Sequence, residues 1–440
     1  MDSKGQEEEE DSQIVSNYYS LESFLQKNGK INNCFSCLSI NIRSLVNKFT
    51  DLEELITELN SDNFKLSLIA LQEIWNIPEN YSLKIENYKP LNFRSRDPTG
   101  QDMNCGGGIG IFIHEKYHYE PIPQISLFQA RFFESQFLKV YISEYKYIIV
   151  GNLYRPPLSD IKMFIDKLEE LLNLISSDPN LKQNDDIILL GDFNIDLIKY
   201  SSNFETSRYL DLLNSIGLTS CISLPIRIAK KSATLIDHIF LKKTDSYLNS
   251  GILQYAISDH LPTFLLKKIT ELPKNQMQKV YFRDMSQKNS SKAKEEICKL
   301  DWAELMQENR PEVAFKKYYA IMNKILNESF PLKLSNTNAR PTGTFEKPWM
   351  TAELFTLRKR KHKLILKKTK YPTGENIEEF KRLNNEYNAQ KRRAKNIFYK
   401  DRLAQYSQNA KKHGIHCGKF LLKQKKRTQY QATFGKGTIK

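Results

Sequence analysis

Short apolar runs alternate with helical spacings from about residue 36 to residue 267, and the texture changes near residue 270. Residues 16–30 suit a short helix. Phe35 to Ile42 (FSCLSINI) predicts a strand, and within Leu45 to Leu59 the residues Leu52, Leu55, Ile56 and Leu59 recur at helical spacing. Leu66 to Leu71 (LSLIAL) is a short apolar run with polar flanks, which predicts a buried strand. Gly108 to Ile113 (GIGIFI) is a second such run, reached through three consecutive glycines. Phe137 to Ile142 and Tyr147 to Tyr154 read as a strand pair, Asp160 to Ile175 as an amphipathic helix, and Asp186 to Leu190 (DIILL) as a buried strand. Ser207 to Ile216 returns to helical spacing, and Leu235 to Leu241 and Ser250 to Ile257 close the pattern as strands. Strands and helices intermingled in this way predict an α/β body of layered sheets.

Beyond residue 270 the pattern is helical and basic. Residues 283–295 are polar and predict a loop, whereas 296–330 place Leu300, Trp302, Leu305, Phe315, Tyr318, Ile321 and Ile325 on one stripe. Asn336 to Lys347 contains Pro341 and Gly343 and predicts a linker. Two basic helical stretches follow, at about 351–369 and 375–412, separated by the turn signal Tyr371-Pro372-Thr373-Gly374. In the second, Phe380, Leu383, Tyr387, Ala394 and Ile397 share a face. The organisation read from the chain is a disordered acidic N-terminus (1–15), a lead-in (16–35), the α/β domain (36–267), a helical linker region (268–347), a basic helical region (348–412) and a flexible basic tail (413–440).

Charge sharpens that division. The 440 residues carry 66 basic and 51 acidic side chains, but residues 1–270 hold 27 basic against 35 acidic, and the remaining 170 hold 39 against 16. A mildly acidic body (net −8) thus precedes a strongly basic region (net +23). No apolar run approaches the roughly 18–20 residues of a membrane span. The N-terminal MDSKGQEEEED lacks the apolar stretch of a secretory signal. Six scattered cysteines, with one CxxC at Cys34 and Cys37, argue against a disulfide scaffold and for a reducing compartment.

Six polar clusters sit in or beside the strand-like runs: Asn41-Ile42-Arg43-Ser44, Gln72-Glu73, Asn152-Leu153-Tyr154-Arg155, Gly191-Asp192-Phe193-Asn194, Ile236-Asp237-His238 and Ser258-Asp259-His260. Strand ends of an α/β body hold ligand groups rigidly and still reach solvent. Any one cluster alone reads as a turn, a cap or a surface pair. Together they are coherent. Glu73, Asp192 and Asp259 supply hard oxygen ligands, which with an amide oxygen suit Mg²⁺ or Mn²⁺ rather than zinc. A His steadied by a second carboxylate stabilises a developing oxyanion or delivers a proton. Asn and Tyr add neutral donors aimed at phosphate oxygens. These are the parts for hydrolysing a phosphate ester.

The order Asn, QE, YR, GDFN, ID, SDH resembles the endonuclease/exonuclease/phosphatase superfamily over about residues 36–267. The resemblance implies a four-layer sandwich of two packed mixed β-sheets flanked by helices, followed here by the basic, mostly helical C-terminal region. SINIRSLVNKFTDLEELI, IALQEIW, GGGIGIFI, GNLYRPP, LLGDFNID, SATLIDHIF and SDHLP resemble more particularly the endonuclease domain of jockey-like non-LTR retrotransposons. KPWMTAELFTLRKRKHKL and YNAQKRRAKNIFYKDRL resemble the basic segment that joins endonuclease to reverse transcriptase in such polyproteins. No aromatic-x-Asp-Asp turn between apolar strands is found, so no reverse transcriptase domain is expected within these residues. The resemblance implies Glu73 as the principal metal ligand, with Asn41 beside it and Asp259 as a further metal or supporting carboxylate. It implies that Asp192 activates water, Asn194 positions it, Tyr154 donates to a phosphate oxygen, and His260 meets the scissile phosphate with Asp237 holding its ring. Arg155, Ser258 and Thr234 are candidates for substrate contacts, and His238 is expected to be structural.

The implied activity is Mg²⁺-dependent nicking of DNA to leave a 3′-hydroxyl, with Mn²⁺ as a substitute metal. Double-stranded DNA is the expected partner, RNA a further partner of the basic region, and the nucleus the expected location. Clusters at Arg358 to Lys361, Lys391 to Arg393 and Lys423 to Arg427 read as a backbone clamp for nucleic acid or as a nuclear localisation signal. Two other readings remain at this stage: a phosphoesterase of the same fold acting on inositol phosphates or lipids, and an inactive nucleic-acid-binding remnant.

Overall fold

The computed structural model describes residues 14–405, apart from 32, 63, 79–82, 97–105, 179–180, 182–185, 231, 243, 270–280, 284–285, 309 and 335–346. The acidic residues 1–13, most of the Asn336–Lys347 linker, and the tail with its Lys423 to Arg427 cluster lie outside the described residues. The chain divides into two compact units, residues 1–274 together with 348–440, and residues 275–347.

In the larger unit two seven-stranded mixed sheets stack face to face. The first orders its strands Asn17–Tyr19, Tyr247–Leu253, Thr263–Lys268, Cys34–Asn41, Leu68–Gln72, Ile109–Ile113 and Asn92–Arg94. The second orders Thr219–Ser220, Asp237–Leu241, Ile187–Asp192, Tyr147–Tyr154, Phe133–Tyr141 and His118–Pro121, with Phe128–Gln129 paired to the Phe133–Tyr141 strand. Alternation along one strand shows how the layers form. Phe35 and Cys37 join the core between the sheets, whereas Leu38 and Ile40 face outward onto Leu52, Leu55, Ile56 and Leu59 of the Leu45–Ser61 helix. Cys34 and Cys37, three apart on a strand, therefore belong to opposite cores, and both are free. On the far side the Ile161–Ser177 helix, N-capped by Asp160, buries Phe164, Ile165, Leu168, Leu171, Leu172 and Ile175. Each of these side chains contributes about 1.5–3 kcal/mol on burial. The α/β four-layer architecture is the one expected.

Several strands lie outside the predicted runs, among them Asn92–Arg94, His118–Pro121, Phe128–Gln129, Thr219–Ser220, Thr263–Lys268 and the Arg227–Ala229/Ser232–Thr234 hairpin. A strand also stands where the lead-in predicted only helix, since Asn17–Tyr19 pairs in parallel with Tyr247–Leu253 and the Leu21–Asn28 helix starts after it.

Each sheet contains one central parallel pair, and both pairs end at the same place. Cys34–Asn41 runs parallel to Leu68–Gln72 with Asn41 opposite Gln72, and Ile187–Asp192 runs parallel to Tyr147–Tyr154 with Asp192 opposite Tyr154. Beneath those ends Gln72 Nε2 donates to Asn152 Oδ1 at 2.7 Å across the two sheets, and Asn152 Nδ2 donates back to the Leu71 and Gly110 carbonyls. This buried polar tie fixes the spacing of the sheets where the polar clusters emerge. Gly191, at φ 145°, allows the closest approach: a Cβ there would lie 1.9 Å from the Leu153 carbonyl oxygen. Gly191→Ala should lower the thermal midpoint, with a loss of about 1–3 kcal/mol; an unchanged melting curve would contradict this close packing.

The basic helices, Ala352–Lys370 and Gly374–Gln405, form an antiparallel pair that belongs to the same unit as the α/β body. Their apolar residues Trp349, Leu354, Leu357, Leu383 and Tyr387 make a small core of their own. They also cover the acidic face of the Leu45–Ser61 helix. Lys391 pairs with Asp51, Arg358 reaches Glu58 at 2.6 Å and Glu54 at 3.9 Å, and Lys395 donates to Thr50. Lys361, also buried, donates to the Ala256 carbonyl at 3.1 Å. Three cations of the expected nucleic-acid clamp, Arg358, Lys361 and Lys391, thus face protein. Breaking such a buried pair on one side leaves a charge without its partner, which is why these cations stay with protein.

The smaller unit packs Ala293, Ile325 and Phe330 together, with Ile297, Leu300 and Ile321 around them. Residues 287–295, within the expected loop, belong instead to the Gln287–Cys298 helix, which packs Ala293 and Ile297 with Ile321 and Ile325 of the Pro311–Ser329 helix. Among the described residues no helix is long and apolar enough to cross a membrane.

Candidate active site

Backbone conformation places the first carboxylate. Glu73 and Trp75 adopt positive φ (50° and 58°), as do Arg43 and Ser44. Such conformations persist only where their surroundings hold them. Here Ser44 N–H donates to the Glu73 carbonyl, Leu45 N–H to Ile74, and Ile74 and Trp75 N–H to Gly108 and Gly107. The chain just past each strand end is thereby locked into a shelf.

On that shelf Asn41 is a hub. Its Nδ2 donates to Glu73 Oε1 at 2.9 Å and to Asp192 Oδ2 at 2.8 Å, while its Oδ1 accepts from Arg43 N–H. Tyr154 adds a phenol hydrogen bond to the same Glu73 oxygen at 3.1 Å, and Trp75 Nε1 donates to the other at 3.3 Å. Burial, with Glu73 and Asp192 alongside, raises the Tyr154 phenol and keeps it a neutral donor. Asn41, expected as a metal ligand, turns its NH₂ rather than its oxygen toward the carboxylates. Two anions this close require a donor between them, and the amide supplies it.

Asp192 is buried and receives Asn194 N–H at 3.0 Å. It is pushed up to about 7, by burial first and by Asp237 second, against the pull of His260 and Asn41. Asp237 stands opposite Asp192 across the antiparallel pair, and both its oxygens meet His260 Nδ1, at 2.9 and 3.0 Å. Burial opposes a charged ring here, but Asp237, Asp192 and Asp259 outweigh it and push His260 up to about 9. His260 Nε2 makes no hydrogen bond among the described residues. Asp192, Asp237 and His260 bring ligand-type atoms within 4.8 Å of one another, all buried.

The site thus gathers Asn41, Glu73, Tyr154, Asp192, Asp237 and His260. Others expected in it have different work. Asn194 contributes its backbone N–H, but its side chain donates to the Arg155 carbonyl at 2.7 Å. Arg155, expected as a substrate contact, is buried, and its guanidinium donates to the carbonyls of Phe193, Asn194, Pro156 and Ser159. Its charge holds the GDFN turn instead of meeting substrate. The Ser258 hydroxyl, also expected at substrate, donates to the Asn41 carbonyl at 2.6 Å and receives His260 N–H, which fastens the SDH turn to the Asn41 strand. Asp259 is clasped by Arg43 at 3.0 Å and Arg227 at 2.9 Å. A carboxylate neutralised by two guanidiniums is a poor metal ligand, so the expected metal role does not fit this geometry. Thr234 lies half-buried at the base of the Arg227–Thr234 hairpin.

Sequence reasoning missed Glu134 and Arg96. Buried Glu134 stands opposite Tyr154 in register, receives Gly108 N–H at 2.7 Å and pairs with Arg96, whose guanidinium lies 5.7 Å from the Tyr154 ring centre. A Glu inside an otherwise apolar strand (FFESQFLKV) was the available signal.

His238 is a core residue. It stacks on Phe193 at 5.0 Å, accepts the Tyr209 hydroxyl at Nδ1 and donates from Nε2 to the Leu235 carbonyl. Burial lowers it to about 4, and His114 and His362 are likewise depressed by burial to about 4. A histidine held neutral in the folded state contributes stability that is present above its unfolded value near 6.5 and lost as pH falls toward 4. Lowering the pH from 6.5 to 5 should therefore cost about 2 kcal/mol for His238 alone. Urea unfolding at both pH values would read this as a smaller pH-dependent loss in His238→Gln than in wild type, with His114 and His362 still contributing.

Glu73 and Asp192 offer hard carboxylate oxygens, and a cation beside Asp192 would offset the burial and the Asp237 charge that raise it, so the residues fit a divalent metal of the oxygen-ligand class. The chain matches no curated protein sequence. Its fold is similar to that of the endonuclease domain of TRAS1, a telomere-specific non-LTR retrotransposon, at 12% identity and TM-score 0.42, over 54% of this chain and 100% of that one. It is similar also to the AP endonuclease LMAP from Leishmania major (10% identity, TM-score 0.43, 54% and 88% covered). D. rerio TDP2 complexed with single-strand DNA product matches at 16% identity and TM-score 0.40, with 54% and 100% covered. Residues 38–260, just over half of the 440, match the endonuclease/exonuclease/phosphatase family, and the chain belongs to that family of hydrolytic phosphoesterases and nucleases.

Proposed function

We propose that this chain is a Mg²⁺-dependent endonuclease that nicks one strand of double-stranded DNA to leave a 3′-hydroxyl, in the manner of a jockey-like non-LTR retrotransposon endonuclease acting in the nucleus. The observation that carries this reading is the meeting of Asn41, Glu73 and His260 from the first sheet with Asp192 and Asp237 from the second. The strongly basic C-terminal third favours a nucleic acid over a small phosphate ester as substrate, and the basic region extends the same preference to RNA.

Glu73 and Asp192 are the residues that would hold the metal or its water, and the bound cation would neutralise phosphate charge and lower the pKa of water. Asp192, held by Asn41 Nδ2 and Asn194 N–H, accepts a proton from the attacking water at its carboxylate. His260, its Nδ1 fixed by Asp237, offers Nε2–H to a non-bridging phosphate oxygen. Tyr154 keeps Glu73 in place from below. The test is supercoiled plasmid incubated with Mg²⁺, with Mn²⁺ and with EDTA. Nicked circles in the metal lanes alone support the reading. Intact plasmid together with phosphate release from inositol phosphates or phospholipids would replace it.

A further inference from the structure

The basic helix Ala352–Lys370 divides its cations by face. Arg358, Lys361 and Lys368 turn inward: Arg358 meets Glu58, Lys361 meets the Ala256 carbonyl, and Lys368 lies over the Phe380 ring at 5.1 Å. Lys359, Lys363, Lys367 and Lys370 are exposed, and their spacings of four, four and three residues align them in one stripe. Eleven residues of helix make that stripe about 16 Å long. Lys367 is shared with Glu379 at 3.4 Å; among the described residues no carboxylate pairs with Lys359, Lys363 or Lys370.

The stripe also points to the active site. Arg358 contacts the end of the Leu45–Ser61 helix far from the site, whereas Lys368, at the other end of the stripe, feels the charge of Asp259 in the SDH turn. Next to Lys370 the chain turns at Gly374, where a Cβ would lie 3.2 Å from Lys230 Cε on the Arg227–Thr234 hairpin. The Lys370 end therefore stands on the rim of the site, and the stripe leads away from it.

We propose that this lysine stripe is a track for the phosphate backbone of the duplex beyond the scissile bond. The inference rests on the nucleic-acid reading of the site. A duplex carries one charge per about 1.7 Å of axis, so one lying in the site and along the helix meets all four lysines. The docking cations underneath make the track rigid with respect to the catalytic residues, so it sets where the flank lies, without base choice.

The test uses the full chain and a linear duplex, with binding measured over a salt series. Lys359→Gln/Lys363→Gln/Lys370→Gln should reduce the slope of log affinity against log salt by about two to three. KM for plasmid nicking should rise about tenfold while kcat holds, and arginine at the same three positions should restore both. Lys146→Gln, exposed at the opposite end of the Tyr147–Tyr154 strand, is the control and should leave the slope unchanged. An unchanged slope in the triple variant, or an equal drop in the control, overturns the track. Binding needs no cleavage, so a protein that binds with the expected slope and never nicks would sink the endonuclease reading and leave the track standing.

Discussion

Asp192→Ala and His260→Ala proteins, folded like the wild type by circular dichroism and melting, are expected to lose nicking by about 10³-fold each. Both residues are buried at the one point where the two sheets deliver acids to each other, and neither has a neighbour able to take its place. Asp192 is the carboxylate that Asn41 and Asn194 aim, and His260 is the ring that Asp237 aims. Asp237→Asn should give a smaller loss, since an amide still orients the ring but no longer supports its charge. Asp259→Ala should fall well short of the Asp192 effect, because its carboxylate is committed to Arg43 and Arg227. Equal losses in Asp192 and Asp259 variants would mean that the arginine clasp opens when metal and substrate bind, and would restore Asp259 to the metal site.

The second large effect lies away from the chemistry. Asp51→Ala should destabilise the protein by about 3–5 kcal/mol, because it leaves the buried Lys391 ammonium without its carboxylate. Lys361, whose amine burial lowers to about 8 and which Asp51 supports electrostatically, loses the same anion. The double replacement Asp51→Leu/Lys391→Met removes both charges and should recover much of the loss. Denaturant unfolding of the single and double variants reads both numbers. An Asp51→Ala protein as stable as wild type would mean that the helical pair does not stay seated on the Leu45–Ser61 helix.

Much of the site was legible because its residues sit at strand ends. LSLIAL followed by Gln-Glu, and DIILLGDFN, each put polar residues directly at the end of a buried apolar run, and it is the set of such ends, not any one, that marks the site. The parallel pairing of the strands bearing Asn41 and Gln72, and of those bearing Tyr154 and Asp192, then brings the clusters together. What stayed hidden has physical causes. Arg155 and Ser258 read as substrate contacts because their types suit phosphate; that their donors are consumed by carbonyls depends on two turns meeting in space. Asn41 reads as an oxygen ligand, and which end of its amide faces the carboxylates is decided by the hydrogen bonds around it. Asp51, Glu54 and Glu58 lie between the apolar positions of the Leu45–Ser61 helix. They are covered only because cations roughly 300 residues onward supply their counter-charges. Periodicity is local and cannot report such a partner. The strands of the Arg227–Thr234 hairpin, three residues each, are too short to show a period at all.

The seating of the helical pair on the Leu45–Ser61 helix also sets an order of events during synthesis. Lys268 completes the last strand of the first sheet, yet Lys395, which reaches back to Thr50, is made 127 residues later. At about 5–20 residues per second, a ribosome leaves the finished sheets waiting roughly 6–25 s with an uncovered acidic flank. During that interval Asp51, Glu54 and Glu58 repel one another and any phosphate nearby. The acidic flank is therefore closed only when the downstream chain arrives to supply its counter-charges.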